Sequence, residues 1–298
     1  MTVLITGATG FVGQRVYNML LQDNQKIRVI SRNPSNSFDD LVEVDLALGE
    51  VKKDIFDDVT AVFHLAGYAH DLRSNADSGM YYRLNVEATK NLAQTASDCG
   101  VSSFIYISST KAGKSDDQGV SSNNGQGIYG KTKRDAELAI LNIASHSQMR
   151  VNIIRPALIY GPNVKGNLKS MLQGIQQGWF PPLPKIGNRR SMVHVDDVAR
   201  CIVHVNNNIS INEQIYNLTD NQEYSSSEIY DIFCQVLGKR IKKHRFPMIL
   251  FTFLSLIHPS IKYKIDKLLG SETFSSSKII SSGFQPKKTL KHINETNY

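Results

Sequence analysis

Short apolar runs alternate with longer stretches of helical period along the first half of the chain. The runs Thr2–Thr6, Ile27–Ser31, Val42–Val44, Ala61–Leu65, Ser103–Ser108 and Val151–Arg155 are mostly apolar and rich in Val and Ile. Such runs suit strands buried on both faces of a sheet, because a half-exposed strand would alternate apolar with polar residues. Between them, Phe11–Gln22, Tyr81–Asp98 and Gly130–Ala144 repeat apolar residues at helical spacing. Strands and helices in alternation predict an α/β fold with a doubly wound parallel sheet. Ligands are expected beyond the carboxyl ends of its strands.

After "RPALIYGP" (Arg155 to Pro162) the regularity breaks, and Pro181, Pro182 and Pro184 with Gly166, Gly174, Gly178 and Gly187 punctuate the next thirty residues. Residues 1–160 therefore read as one domain and 161–298 as a smaller C-terminal α/β lobe interleaved with it. The lobe is expected to hold helices at Leu168–Gln177, Asp196–Asn206 and Ser226–Leu237. The most apolar stretch, "MILFTFLSLI" (Met248 to Ile257), has about half the length that a membrane-spanning helix needs. Burial in the core is the preferred reading for it, ahead of docking on a membrane or a protein partner.

Composition narrows the class. Hydrophobic residues at 41% and charged residues at 20% suit a globular chain with its own core. Cys99, Cys201 and Cys234 lie far apart without a CxxC, and the eight histidines show no ligand-like spacing with them, so neither a disulfide framework nor a metal site is expected. Buried thiols in a reducing cytoplasm fit, and "MTVLIT" starts a strand with no room for a signal peptide. The net charge of +7 suits an anionic partner. No nucleic-acid motif accompanies it, so a small phosphorylated ligand is expected rather than nucleic acid. Part of the surplus lies late, at Lys239, Arg240, Lys242, Lys243, Arg245, Lys287 and Lys288, where a solvated face or weak contact with an anionic membrane surface would account for it.

"VLITGATGFVGQRV" sets Gly7, Gly10 and Gly13 after the first strand and at the start of a helix. Glycines there allow a tight turn and close approach of backbone to a pyrophosphate, which then meets the helix N-terminus. With the strands around it, this GxxGxxG turn predicts a Rossmann-type dinucleotide-binding domain. At the end of the second strand a carboxylate would accept from a ribose 2′-hydroxyl, whereas an arginine accommodates a 2′-phosphate. Here stand Ser31 and Arg32, with no acid before Asp39, so NADP(H) is favoured and NAD(H) is the alternative. Asp45, after the third strand, is placed to accept from an adenine amine.

Tyr129 and Lys133, four apart at a helix start, share one face. An ammonium beside a phenol stabilises the phenolate, lowering its pKa from ~10 toward working pH. Tyr129 can then exchange a proton with a substrate oxygen while hydride moves at carbon. Ser108 and Ser109, at the end of the fifth strand, add hydroxyls. His64 and His194 read as hydrogen-bonded structural residues, and Asn85 as a prop for the site.

Together these motifs resemble the extended short-chain dehydrogenase/reductases, which include nucleotide-sugar epimerases and dehydratases. The resemblance covers nearly the whole chain and implies an enzyme. "GATGFVG" is similar to the family's phosphate loop, implying cofactor contacts from Gly7, Thr9, Gly10, Phe11, Val12 and Gly13. "VEVDL" resembles its adenine motif (Asp45, Leu46), and "VFHLAG" its fourth-strand motif (Leu65, Ala66, Gly67). "ISS…YGKTK" resembles its catalytic set: Ser109 on the reacting oxygen, Tyr129 for the proton and Lys133 on the nicotinamide ribose. Ser108 and Pro156 are implied beside the cofactor. "NRRSMVHVDDVA" and "KGNL" resemble segments that hold the substrate diphosphate, here through Arg190 and Asn167. A homodimer is a further expectation from the family.

The resemblance also bears on the reaction. A 4,6-dehydratase of this family carries Asp-Glu directly after the catalytic hydroxyl, and this chain has Thr110 and Lys111 there, so dehydration is not expected. "SSTKAG" is similar to a segment of reductases acting on UDP-4-keto-6-deoxy-N-acetylhexosamine in bacterial surface-polysaccharide synthesis, such as that of lipopolysaccharide O-antigen. That implies NADPH-linked reduction of a 4-keto sugar, with substrate contacts from Ser109, Thr110 and Lys111. A UDP-sugar 4-epimerase with bound NAD is the alternative. A non-catalytic NADPH-binding sensor or assembly factor is a third reading, against which the intact Ser109, Tyr129 and Lys133 argue.

Overall fold

The structure, a computed structural model, describes residues 2–49, 51–69, 78–113, 120–121, 127–211 and 214–293. Its centre is a parallel sheet. Strand β1 (Thr2–Thr6) is buried along its whole length and is flanked by β2 (Lys26–Ser31) and β4 (Val59–His64). Outside these lie β3 (Leu41–Glu43) on one edge, and β5 (Ser103–Ile107) and β7 (Arg150–Pro156) toward the other. The seventh strand, β10 (Gln214–Leu218), pairs in parallel with β7, giving the order β3-β2-β1-β4-β5-β7-β10. Six of these strands coincide with the apolar runs. β10 lies beyond residue 160, so the sheet is built from both regions of the chain. Its sequence, "QIYNL", carries too short an apolar pattern to stand out.

Helices close both faces. Helix α1 (Phe11–Gln22) buries Val16, Tyr17 and Leu20 on one face. The segment predicted as one helix over Tyr81–Asp98 is divided. A short α2 (Ser78–Tyr82) leads through a π-helical turn (Arg83–Glu87) into α3 (Ala88–Asp98). The long α4 (Gly127–Ala144) covers the same face as α3, burying Ala136, Ile140 and Ile143 against Phe104, Val151 and Ile153. Helix α6 (Val195–Asn207), expected in the smaller lobe, packs instead with α1. Its stripe of Val198, Cys201, Ile202 and Val205 is wide and apolar enough to complete the core that Val16 and Leu20 begin.

A separate cluster of buried residues, among them Tyr160, Leu168, Leu172, Phe233 and Leu290, is the core of a smaller group of elements, the lobe. It contains β8 (Leu158–Tyr160), α5 (Gly166–Gln177), β9 (Arg190–His194), β11 (Glu223–Tyr224) and α7 (Ser226–Val236). The helical pair α8 (Met248–Ile257) and α9 (Pro259–Leu269), then β12 (Glu272–Thr273) and α10 (Ser277–Ser281), complete it. A two-residue β6 (Val120–Ser121) joins β12, giving a small sheet in the order β11-β9-β12-β6 with β8 on β9. A capping box starts α7: Ser225 accepts from the Glu228 amide while Glu228 accepts from the Ser225 amide. The expectation that "MILFTFLSLI" is core fails, since Phe251 is the one buried residue of α8. Its partner α9 shields too little of the remaining apolar surface.

A buried polar network fastens α4 to the sheet. Glu137 accepts from Arg155 Nε at 2.8 Å and Nη2 at 2.6 Å, and from the Ser108 hydroxyl at 2.5 Å. Arg155 and Glu137 are fully buried. A buried ion pair adds little net stability against an apolar substitute, but removing one partner strands a charge. Glu137→Ala should therefore destabilise the fold by about 3–5 kcal/mol. Denaturant unfolding monitored by circular dichroism checks this; a loss under about 1 kcal/mol would mean that water or a neighbour relieves Arg155.

Candidate active site

The turn after β1 is shaped for close approach. Gly7 has φ +75°, and a Cβ there would stand 2.7 Å from the Ala66 amide nitrogen. A Cβ on Gly13 would collide with the Gly7 carbonyl. No side chain caps α1 at Gly10, so the first amides of the helix, at Phe11 and Val12, remain for an anion. Thr9 is exposed on the turn. At the end of β4, the Leu65 and Ala66 amides donate hydrogen bonds to the Thr6 carbonyl (3.1 Å) and the Thr6 hydroxyl (3.2 Å) respectively.

Arg32 is exposed just past β2. Asp45 accepts from the Ala47 amide at 3.0 Å, and Leu46 packs against the core. Pro156 closes β7 and is buried. The glycine cradle, the uncapped helix end and the β4 terminus together fit a dinucleotide. Bound there, a nicotinamide would supply or accept hydride.

The three sequence-predicted catalytic residues arrive from two elements. Ser109 lies just past β5 and caps a short 3-10 turn (Thr110–Ala112), accepting from the Lys111 amide at 3.2 Å. Tyr129 and Lys133 lie in the first two turns of α4. The Tyr129 phenol stands beside the Ser109 side chain, which eases its ionisation. Lys133 donates from Nζ to the Ile107 carbonyl at 2.9 Å and lies 4.6 Å over the Tyr106 ring. Gly67 leaves room for both neighbours: a Cβ would stand 3.1 Å from Lys133 Nζ and 3.2 Å from Asn85 Oδ1 and would crowd them.

The electrostatics of the pair differ from the expectation. Burial pushes the Tyr129 phenol up to about 12, with the neighbouring Ser109 side chain opposing the rise and Tyr81 adding to it. Burial brings Lys133 down to about 8, with Glu137 opposing. The ammonium is directed to a backbone carbonyl, so in the chain by itself it does not offset the desolvation of the phenol. The expected lowering of Tyr129 by Lys133 is thus absent from these residues alone.

The supporting residues behave as read. Fully buried His64 bonds Thr6 and Thr89 through its two nitrogens at 2.6 and 2.8 Å, and burial lowers it to about 3. His194 caps α6 by accepting from the Asp196 amide at 3.1 Å and is lowered to about 4, again chiefly by burial. Both are neutral structural groups. Asn85, turned inward by the π-helical turn, accepts from the Tyr68 amide (2.7 Å) and donates to Thr132 Oγ1 (3.1 Å). Ser108 is the exception among the proposed cofactor contacts, because its hydroxyl is turned to Glu137.

The proposed substrate contacts divide. Lys111, from the turn after β5, forms an ion pair with Glu272 of β12. Arg190 of β9 reaches the same carboxylate at 4.0 Å and donates to the Lys267 carbonyl. Buried Arg190 Nε has no partner among the described residues. Thr110 is buried next to Lys111. Asn167, exposed at the start of α5, has no hydrogen bond to this cluster among the described residues. Sequence reasoning misses Glu272 and Lys267. The run "LLGSETF" reads as a turn into a strand, and nothing local marks its glutamate as the partner of two cations.

The fold and cradle define a dinucleotide-binding α/β protein. The chain belongs to the NAD dependent epimerase/dehydratase family, whose match spans residues 3–219, and is therefore an enzyme of the extended short-chain dehydrogenase/reductase type. It is 30% identical over 247 residues to a UDP-glucose 4-epimerase of Vibrio cholerae, covering 76% of this chain and 73% of the relative. It is 25% identical over 307 residues to an N-acetyl-alpha-D-glucosaminyl-diphospho-ditrans,octacis-undecaprenol 4-epimerase of Escherichia coli O157:H7, covering 97% and 91%. Among solved structures, MoeE5 in complex with UDP-glucuronic acid and NAD superposes with a TM-score of 0.76 at 22% identity, covering 98% of this chain and 95% of that one. A UDP-glucose 4-epimerase from Thermotoga maritima, with UDP-glucose, gives 0.76 at 19% over the same shares.

The lowered Lys133 has a consequence for stability. Its folded pKa of about 8 lies below the ordinary lysine value of 10.5, so between those values the unfolded chain binds the extra proton and stability rises with pH. Above about pH 10 the raised Tyr129 and Tyr106 act in the opposite sense. Between pH 8 and 10 the wild type should gain up to about 2–3 kcal/mol relative to Lys133→Met. Urea titrations of both proteins across that range test it; parallel pH profiles would place Lys133 in a wetter site.

Proposed function

We propose that the chain exchanges hydride at C4 of a UDP-linked hexose, with net reduction of the 4-keto group of a UDP-4-keto-6-deoxy-N-acetylhexosamine. One observation carries the C4 chemistry: the Ser109 side chain stands beside the Tyr129 phenol, Lys133 lies one turn on along the same helix, and Thr110 and Lys111 stand where a dehydratase would need carboxylates. The Ser109 hydroxyl holds the substrate oxygen. The Tyr129 phenol, kept protonated by burial, gives that oxygen its proton as hydride reaches carbon. Lys133 steadies the nicotinamide ribose. Arg190 and Lys111 take the diphosphate, their guanidinium and ammonium exchanging Glu272 for phosphate oxygens.

Net reduction is favoured by the end of β2. Exposed Arg32, with no acid before Asp39, suits the 2′-phosphate of NADPH, a cofactor that arrives reduced and leaves oxidised. The second reading is 4-epimerisation with tightly held NAD. It is supported by the names of both curated relatives above.

The two outcomes separate in one assay. Purified protein given a UDP-4-keto-6-deoxy-N-acetylhexosamine should consume NADPH, measured by absorbance. Interconversion of UDP-glucose and UDP-galactose, or their N-acetyl forms, without cofactor turnover would overturn net reduction in favour of epimerisation. Tyr129→Phe should lower turnover by about a thousandfold while cofactor still binds; unimpaired turnover would remove Tyr129 from the chemistry. Arg32→Glu should weaken NADPH binding roughly tenfold or more and leave NADH binding nearly unchanged, measured by fluorescence titration. Equal effects on both cofactors would move the 2′-phosphate away from Arg32.

A further inference from the structure

Helix α8 exposes most of an uncharged, apolar surface. Ile249 is 61% exposed, Phe253 62%, Leu256 77% and Ile257 67%, with Met248, Leu250 and Leu254 also exposed. Soluble surfaces rarely collect so many large apolar side chains on ten consecutive residues. The pair α8–α9 is held to the lobe from below, by Phe251 and Leu269 in its core and by Ile265 and Leu268 against it. The outer side of α8 has no partner within the described residues.

The charge around this surface is one-sided. Residues 239–270 contain eight Lys or Arg and a single acid, Asp266, a net of +7. The whole chain also has a net charge of +7, from 34 basic and 27 acidic residues. Subtracting the segment leaves 26 of each sign, so the remainder of the chain is neutral. Lys239, Arg240, Lys242, Lys243, Lys262 and Lys264 are exposed, and none has an ion pair among the described residues. Arg245 and Lys267, in contrast, turn inward to Asp231 and toward Arg190 and Glu272.

Aromatic groups complete the strip. Phe246 and Tyr263 are exposed, and the Phe246 amide bonds the Pro182 carbonyl. That bond ties the strip to the loop after α5, which carries Trp179, 62% exposed.

We propose that the α8–α9 pair is a docking surface for an anionic lipid bilayer, with α8 lying in the headgroup region and the six exposed cations around it. A ten-residue helix spans about 15 Å, too short to cross, and no helix among the described residues is long and apolar enough to do so. Apolar side chains flanked by Lys, Arg, Trp and Tyr are the composition of a helix that lies in the interface. A second copy of this chain suits the surface poorly. A two-fold contact would set six cations against six across a strip with one acid. The pair also borders the proposed substrate site, because the Lys267 carbonyl of α9 accepts from Arg190. The surface would therefore seat the enzyme with that site near the membrane. This inference does not depend on whether the reaction is reduction or epimerisation.

Flotation of the full-length protein with vesicles of phosphatidylethanolamine and phosphatidylglycerol tests it. The protein should float with these vesicles, stay behind with phosphatidylcholine vesicles, and be released by raised salt. Lys242→Gln with Lys243→Gln should weaken binding by roughly 30-fold, and Phe253→Ser with Leu256→Ser by about a hundredfold or more. Both double variants should keep the wild-type circular dichroism spectrum and cofactor binding. Trp179, the only tryptophan in the chain, should shift its fluorescence to the blue on binding. Absence of flotation, or equal binding of both vesicle types, would overturn the proposal. So would a concentration-dependent dimer that Leu256→Ser dissolves in a protein that ignores vesicles.

Discussion

The Glu137 carboxylate holds the active region together. It receives two bonds from Arg155 on β7 and one from Ser108 at the end of β5, and it lies one helical turn beyond Lys133 on α4. Three elements from distant parts of the sequence are thereby fixed in a water-free interior, where such bonds are strong and a missing partner is costly. Ser109 comes directly after Ser108, and Tyr129 and Lys133 precede Glu137 on the same helix. The distance between hydroxyl, phenol and ammonium is therefore set by a group that need not touch any of the reacting atoms. Gly130 adds a steric condition, since a Cβ there would meet the Lys111 carbonyl. The turn carrying Ser109 and the start of α4 can approach only because that residue has no side chain.

The same dryness shapes the chemistry. Tyr129 is held protonated and Lys133 is lowered to about 8 because both charged forms lose water. A protonated phenol beside Ser109 is ready to give a proton to a substrate oxygen, which is the direction a reduction needs. In the opposite direction the phenolate must be stabilised. The residues of the chain do not do this by themselves, so that burden falls on a cationic group brought to the site. Lys133 is itself tied down, because its Nζ donates to the Ile107 carbonyl and lies over the Tyr106 ring.

Much of this arrangement is readable in the residue order, and the rest is not for identifiable reasons. The strands of the central sheet are legible because burial on both faces leaves continuous apolar runs, and the turn at Gly7 because close approach leaves only glycine. Asn85 reads as a prop, but the π-helical turn that aims it does not, because a single extra residue per turn leaves the apolar spacing almost unchanged. β10 and the position of α6 escape for a different cause: both complete a core begun far earlier in the chain, and neither carries a local mark of its partner. Glu272 is the clearest case. Its role depends on Lys111 and Arg190 converging from separate elements, a property of the folded chain alone.

Apolar helix α8 shows why a hydrophobic pattern is weaker evidence than a periodic one. A buried helix in a small lobe and a helix lying on a lipid surface can both be apolar on every side, since each meets a nonaqueous medium. The difference lies in the flanks. A core helix is bounded by whatever its loops require, whereas here the flanking residues 239–246 and 261–267 contain all the excess charge of the chain. With the remainder neutral, long-range attraction to an anionic surface would act on this one strip and orient the protein as it approached. The proposed site for a diphosphate, bordered by Lys267 and Arg190, would then lie on the side of the molecule where that attraction is greatest.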